Sequence, residues 1–211
     1  MFKTKRTILL LLCLVILLTG QIVLNAQTEK QVDVLKQYSV CTFSDGLKIK
    51  ETRRYDEDSI RSRVVETKDG VKEVTRIGSF YVLVGYPKMS PFANIRPERS
   101  RLVKDSFESD KKAVVENLKY LISTTSGMAT EEPVKTTING FEVHQINRKE
   151  LTGSTLGISV LFNDTDNTIT TIYLFNAGEK KRNFQTIEEW IKLRDNFLTS
   201  YTGCVNTNLG R

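Results

Sequence analysis

The sequence has few of the residue types on which most catalytic and metal sites depend. Its 211 residues include one histidine, three cysteines and one tryptophan. A single imidazole excludes a metal site built from histidines alone, and no cysteine spacing matches a zinc finger. At 39% hydrophobic and 27% charged residues, the composition is typical of a globular chain rather than a disordered or fibrous one. The sequence therefore predicts a folded protein and indicates no metal or cofactor.

The most hydrophobic run lies at the N-terminus. A few basic residues precede the apolar segment 7–18 (TILLLLCLVILL), and a short polar break and Ala26 follow. This order is typical of a secretory signal peptide, so residues 1–26 are predicted as the signal, with cleavage after Ala26. The alternative is an uncleaved membrane anchor, because residues 7–26 are just long enough to cross a bilayer. Polar residues in the second half of that span favour cleavage and an extracytoplasmic protein, periplasmic or secreted.

The charge balance argues against nucleic acid as a partner. Once the predicted signal is removed, 28 basic residues face 25 acidic ones, a net charge of +3. That charge is small for a nucleic-acid-binding domain, and the remaining residues 27–211 have the length of one domain. A basic cluster within them contains Arg96, Arg99, Arg101 and Lys104. Because a proline and a glutamate interrupt this cluster, we interpret it as a solvated face, with a specific anion site as the alternative.

Two cysteines remain in the predicted mature chain, Cys41 near its start and Cys204 near its end. An even count in an oxidising compartment predicts one disulfide, and two separate buried thiols are the alternative. Neither cysteine has a CxxC partner that would poise it for redox catalysis. We therefore predict a structural Cys41–Cys204 bridge.

Alternation of polar and apolar residues predicts strands in the first half of the mature chain. Two hairpins are expected, each with a three-residue loop: 38–43 with 47–54, and 60–67 with 71–77. In the second hairpin, a three-residue loop sets Glu66 opposite Lys72 rather than opposite a like charge, and this register is therefore predicted. Segment 80–86 (FYVLVGY) is apolar on both faces and is predicted as a central strand. Pro97 limits a further strand over 92–101 to the sheet edge.

The second half of the chain predicts two helices separated by strands. Helical spacing indicates a helix over 110–124 and a final helix that Thr186 and Glu189 begin with a capping box and Gly203 ends. Three strands between them are predicted to start at 137 or 141, at 156 and at 169, and to end at 147, 162 and 175. This succession predicts an α+β domain, an antiparallel sheet with helices packed on it.

The order of these elements resembles the PsbP-like α/β/α sandwich, in which an antiparallel sheet carries helices on both sides. The resemblance rests on the short motifs Phe80-Tyr81-Val82, Tyr86-Pro87 and Asn139-Gly140-Phe141, followed by two strands and a terminal helix. In layout the chain is similar to uncharacterised secreted bacterial proteins of this type. The resemblance implies a non-catalytic extracytoplasmic binding or assembly domain, and no functional residue is carried over from it.

His144 is the residue that could support acid–base chemistry. On a strand it shares a face with Glu142 and Ile146, so the carboxylate could orient its imidazole as a general base. No Gly-x-Ser-x-Gly nucleophile elbow accompanies it. We therefore interpret His144 as a strand residue beside a charged neighbour and keep a hydrolase that uses it as an alternative. The segment Asp164-Thr165-Asp166-Asn167 lacks the glycine and distal glutamate of a calcium loop and is predicted as a polar turn.

These features favour an exported non-enzymatic domain that binds another protein or assembles at a membrane surface. The main alternative is a carrier of a small apolar ligand held between the sheet and one helix. A carrier of this kind needs a closed cavity of about 300 Å³ or more, lined in part by aromatic residues. The sequence does not distinguish aromatic rings that fill a core from rings that line such a cavity.

Overall fold

The structure of the protein is a computed structural model that describes residues 34–43, 46–55, 63–67, 70–102, 107–123 and 132–211. The predicted signal peptide lies outside these ranges. Within them, no helix is long and apolar enough to cross a membrane.

The described part of the chain contains an antiparallel sheet, two long helices and two short helical segments, residues 34–37 and the 3₁₀ turn Glu179–Lys181, which confirms the predicted α+β class. In chain order the elements are β1 (Lys48–Tyr55), β2 (Arg63–Thr67), β3 (Gly70–Gly85), β4 (Pro91–Leu102), α1 (Phe107–Ser123), β5 (Val134–Ile138), β6 (Phe141–Asn147), β7 (Thr155–Asn163), β8 (Thr168–Phe175) and α2 (Ile187–Asn208). The strand order is β1-β3-β4-β8-β7-β6-β5, and β2 also pairs with β3. Because Val74 pairs with both Arg63 and Leu102, β2 lies on the same edge of β3 as β1.

Each helix packs against its own set of strand side chains. Val143 of β6 and Leu161 of β7 belong to the hydrophobic cluster that includes α2. Ile146 and Val160, on the same two strands, belong to the cluster that includes α1. Since side chains alternate across a strand, the two clusters occupy opposite faces of the sheet.

The first predicted hairpin is wrong. Residues 38–43 form no strand, and β1 pairs with β3 instead, with Ile49 opposite Val84. The segment 38–43 contacts α2: the backbone oxygen of Tyr38 accepts a hydrogen bond of 3.1 Å from the hydroxyl of Tyr201. Contacts with a distant helix therefore replace the local pairing that the sequence favoured.

The second hairpin forms, but its predicted register is wrong. Thr67 pairs with Gly70 and Glu66 with Val71, so two residues connect β2 and β3 rather than three. Glu66 consequently lies opposite Val71 and not opposite Lys72. This register also keeps like charges apart, because the charged positions of β2 face apolar positions of β3.

The strand that contains Pro97 lies inside the sheet, between β3 and β8, and the prediction of an edge strand is wrong. Pro97 is opposite Thr170 of β8. On the β3 side the register passes from Glu98 opposite Ser79 to Ile95 opposite Val82. The register is the same on both sides of this gap, and Pro97 lies within it, as expected of a residue that has no backbone N–H to donate to the ladder.

The final helix begins as predicted and ends later. The Thr186 hydroxyl accepts a hydrogen bond of 3.2 Å from the Glu189 amide, and the Glu189 carboxylate accepts one from the Thr186 amide. The helix then continues through Gly203 to Asn208, so the predicted stop at Gly203 is wrong. Burial of Val205 against the sheet explains the extension, because the last turns complete the core on this face.

Candidate functional site

The predicted disulfide between Cys41 and Cys204 is confirmed. Their Cα atoms are 5.7 Å apart, and the bridge joins the segment that precedes β1 to the last turns of α2. The side-chain amide of Asn208 supports this attachment by donating a hydrogen bond of 2.9 Å to the backbone oxygen of Gln37. The bridge thus fixes residues 34–43 against the end of the chain.

An open surface groove of about 640 Å³ lies beside the disulfide. One wall is the segment 39–43 and the other is the start of β1 with the residue before it. The apolar lining side chains are Val40, Phe43, Leu47 and Ile49. Val40 is 48% exposed and Ile49 is 36% exposed, so the groove presents apolar surface to solvent.

Aromatic stacking holds one wall of this groove in place. The ring of Phe43 stacks on Phe197 of α2 with a centroid distance of 5.2 Å and lies 6.4 Å from the ring of Tyr201. Phe92 of β4 contacts Phe197 edge-on at 5.5 Å. The groove is therefore supported by the disulfide and by a row of rings that continues into the core.

β1, at the opposite wall, is a terminal strand of the sheet. Among the residues that the structure describes, no strand pairs with its outer edge. Backbone N–H and C=O groups on such an edge can pair with another chain. The groove thus combines exposed apolar side chains with an available strand edge.

The space between the sheet and the loop before α2 differs from the cavity that the carrier hypothesis predicts. A cavity lined by Phe92, Phe175 and Phe184 has a volume of about 10 Å³, enough for a single water molecule. Several other aromatic residues fill the core and are buried: Phe80, Phe141, Phe162, Trp190 and Tyr201. These rings pack against the sheet and the helices.

His144 and Glu142 lie together on one face of β6, as the alternation predicted. His144 Nε2 is 2.7 Å from Glu142 Oε1, and the imidazole contacts the ring of Phe162 edge-on. Two lysines also approach this carboxylate, Lys135 of β5 at 3.1 Å and Lys111 of α1 at 3.8 Å. The glutamate is therefore part of a charged network and not only the partner of the histidine.

Lys111 connects this network to the β7–β8 turn. Its ammonium group is 2.8 Å from Asp164 and 2.7 Å from Glu108, and its side chain is mostly buried. Burial lowers the pKa of Lys111, but the hydrogen bonds to Asp164 and Glu108 outweigh this effect and raise it overall. The hydrogen bond from His144 is the largest cause of a lowered pKa at Glu142, which burial opposes and the lysines reinforce.

These shifts keep Glu142 and Lys111 charged at neutral pH. The network joins β5, β6, α1 and the β7–β8 turn through charge-assisted hydrogen bonds. Its geometry is that of a structural connection between these elements.

Glu142→Gln is expected to destabilise the protein at neutral pH by roughly 1 kcal/mol, the upper end for an ion pair near the surface, because the carboxylate is partly exposed. Since the folded-state pKa of Glu142 lies below its ordinary value of 4.5, the ionised group stabilises the fold above that pH. This contribution is lost as the pH falls through the lowered pKa. Urea unfolding over a pH series should show that the free energies of unfolding of the variant and the wild type become equal in acid.

Glu116→Gln is the matched control, because it removes an exposed carboxylate from α1. This variant should unfold at nearly the wild-type urea concentration at neutral pH. If the free energy of unfolding of Glu142→Gln instead stayed below that of the wild type by a constant amount down to the lowest pH, the lowered pKa of Glu142 would be refuted.

The β7–β8 turn uses its carboxylates in protein contacts. Asp164 pairs with Lys111, whereas Asp166 accepts a hydrogen bond of 2.8 Å from the Tyr38 hydroxyl. Burial, followed by the charge of Asp166, raises the pKa of Tyr38 above its ordinary range, so the phenol stays protonated. In the part of the chain that the structure describes, no cluster of three or more His, Cys, Asp or Glu could hold a metal ion.

The sequence does not predict the groove. It places Val40 and Ile49 in the first predicted hairpin, whose three-residue loop would set Ile49 opposite Cys41. The signal that could have found them was the predicted disulfide itself, because a bridge from Cys41 to α2 competes with pairing of 38–43 to the following strand.

Together these contacts define a disulfide-linked α+β domain with an open apolar surface groove. No family model, curated protein or solved structure matches the chain. The surfaces described above are therefore the basis on which its function is proposed.

Proposed function

We propose that this chain is an exported, non-enzymatic domain that binds another protein through the groove between residues 39–43 and β1. The observation that carries the proposal is the open apolar groove, which the disulfide and the Phe43–Phe197 stacking hold in shape. Exposed apolar surface in a rigid groove is a feature of protein interaction sites.

Two further observations support export. A disulfide persists in oxidising compartments and is rare in the cytosol. The N-terminal sequence, with basic residues followed by an apolar run up to Leu18, has the order of a secretory signal. A cleaved signal would leave a periplasmic or secreted domain, and an uncleaved one would attach the same domain to the membrane.

The arrangement of helices also agrees with the PsbP-like resemblance. One hydrophobic cluster includes α1 and the other includes α2, on opposite faces of an antiparallel sheet. A PsbP-like α/β/α sandwich has this layout, and its resemblance supports a binding or assembly role by analogy.

A carrier of a small apolar ligand is the second candidate, and one observation favours it. The groove volume of about 640 Å³ lies within the range of known ligand sites. Such sites bury most of the ligand, however, whereas this groove is open along one side and borders a strand edge. A polypeptide that lies along β1 would use both the apolar lining and the edge, which favours a protein partner.

The test compares two valines of similar exposure, one in the groove beside β1 and the other on β5 at the opposite edge of the sheet. Val40 lies in the groove and is 48% exposed, and Val134 of β5 is 52% exposed. Cross-linking in the native envelope, followed by affinity recovery and mass spectrometry of proteins and lipids, should recover a stoichiometric protein partner with the wild type. Val40→Asp should lose it, and Val134→Asp should retain it.

Two results would contradict the proposal. Equal recovery of the partner with Val40→Asp and Val134→Asp would remove the groove from the interaction. Recovery of a lipid or metabolite, without a protein, that Val40→Asp abolishes would assign the groove to the carrier function instead.

A further inference from the structure

The guanidinium of Arg96 is held between two tyrosine rings on the sheet face that carries α1. Its Cζ atom lies 4.7 Å from the ring centroid of Tyr173 and 5.5 Å from that of Tyr81. The side-chain oxygen of Asn94 accepts a hydrogen bond of 3.0 Å from Arg96 Nε. Three contacts from three strands thus fix the position of an arginine that is itself exposed.

The residues that the structure describes cover this part of the sheet only in part. Tyr173 packs at the margin of the α1 cluster, and both Tyr81 and Tyr173 are half-buried. Asn94 beneath the guanidinium is buried. Arg96 therefore donates its Nε hydrogen to a buried side chain, while the rest of its guanidinium is accessible to solvent.

The described residues leave part of the hydrogen-bonding capacity of Arg96 unused. Asn94 occupies Nε, and the two terminal nitrogens carry the other four of the five guanidinium N–H donors. Among the residues that the structure describes, Arg96 forms no ion pair, whereas Arg53 is paired with Glu51 and Arg194 with Asp195. A guanidinium fork of this kind matches the two oxygens of a carboxylate.

We propose that Arg96, Tyr81 and Tyr173 form a binding site for a carboxylate carried by an acidic segment of a partner protein. The inference rests on the proposed protein-binding function and adds a second contact on the face of the sheet opposite the groove. Most surface arginines lose side-chain freedom when they bind, but the two rings and Asn94 already order this one. Because the side chain is already ordered, less conformational entropy is lost when Arg96 binds a carboxylate.

The position of the guanidinium favours a protein carboxylate over an acidic sugar. Arg96 lies over both tyrosine rings and covers the faces on which a sugar ring would stack. A glutamate or aspartate side chain reaches the terminal nitrogens without needing those faces. The site therefore fits a flexible side chain that ends in a carboxylate.

The experiment titrates the mature, oxidised protein with a hexaglutamate peptide and follows the Arg96 Nε–H signal by nuclear magnetic resonance, with affinities from calorimetry. Arg96→Gln should weaken binding roughly tenfold or more, because a charge-assisted bidentate contact is lost. Arg96→Lys should lose nearly as much, since lysine keeps the charge but lacks the planar fork and ring stacking. Tyr173→Leu should weaken binding several-fold while preserving apolar packing.

Arg99→Gln is the matched control for net charge. Arg99 is on the same strand three residues away, so its side chain lies on the other face of the sheet. This variant should bind hexaglutamate within about twofold of the wild type, as expected for weak surface electrostatics. Equal weakening by Arg96→Gln and Arg99→Gln would show only a general charge effect and overturn the site.

Two further arms separate this inference from its alternatives. Tighter binding of a uronate oligosaccharide than of hexaglutamate, lost in Arg96→Gln, would overturn the choice of a protein segment. If hexaglutamate binding depended on Arg96 while Val40→Asp left partner capture unchanged, the groove would fail and the carboxylate site would stand. Loss of partner capture in Val40→Asp, with hexaglutamate binding insensitive to Arg96, would overturn the carboxylate site alone.

Discussion

Replacement of both Cys41 and Cys204 by alanine is expected to lower the free energy of unfolding by up to about 5 kcal/mol, the largest effect of any change considered. The bridge closes a loop of 163 residues, and the chain-entropy model assigns roughly 5 kcal/mol to a loop of that length. In a domain of this size, such a loss corresponds to a fall in melting temperature of roughly 10–20 °C. Calorimetry or circular dichroism on the mature protein measures it.

The reduced wild-type protein serves as the control for the double variant. Both should melt at similar temperatures below the oxidised protein, and the oxidised protein should weigh roughly 2 Da less than the reduced one because two hydrogens are lost. Hydrogen bonds from Tyr201 to Tyr38 and from Asn208 to Gln37 remain in both and limit the loss. A double variant that melted with the oxidised protein would show that the bridge does not stabilise the fold.

Arg148→Met is expected to destabilise the protein by about 3 kcal/mol, because it leaves two buried carbonyl groups without a charged donor. Arg148 is 1% exposed. Its Nε donates a hydrogen bond of 3.0 Å to the backbone oxygen of Thr155, and one terminal nitrogen donates a bond of 3.1 Å to that of Ile122. The second bond satisfies a carbonyl in the last turn of α1, where helical partners are missing. Urea unfolding of the two proteins measures the difference.

Arg182→Met provides a comparison, because Arg182 makes similar hydrogen bonds at a more solvent-exposed position. Arg182 donates to the backbone oxygen of Phe184 at 3.0 Å and to the side-chain oxygen of Asn176 at 2.7 Å, but it is half-buried. Water can replace its contacts, so a loss of less than about 1 kcal/mol is expected. Equal losses in the two variants would contradict the view that burial makes Arg148 important.

The C-terminal half of the fold could be predicted from local signals. The predicted bounds of β6 to β8 lie close to the observed ones, and the capping box located the start of α2 at Thr186. The end of that helix could not be read locally, because Gly203 is a common helix terminator whereas Cys204 and Val205 are held by distant residues. Tertiary contacts overrode the local signal there.

The N-terminal half could not be predicted in the same way. Segment 38–43 has the alternation of a strand, yet the disulfide and the Tyr38 hydrogen bonds attach it to α2 and to the β7–β8 turn. Pairing by alternation assumes that neighbours in sequence are neighbours in space. That assumption fails where a covalent link of long sequence separation decides the position of a strand-like segment.

The candidate sites, too, could be predicted only where a local sequence pattern determines them. The pairing of His144 with Glu142 follows from the two-residue period of a strand. The addition of Lys111 and Asp164 to that pair depends on how α1 and the β7–β8 turn pack, which no local pattern contains. The groove beside Cys41 exists only because the predicted hairpin does not form.

The most direct test of the account is native mass spectrometry of the protein isolated from its own envelope or secreted fraction. The wild type is expected to carry a polypeptide in a fixed ratio, and Val40→Asp should release it while Val134→Asp keeps it. A bound small molecule in place of a polypeptide, released by Val40→Asp, would contradict the protein-binding function. An unbound wild-type protein in a fraction where cross-linking also captures no partner would contradict it as well.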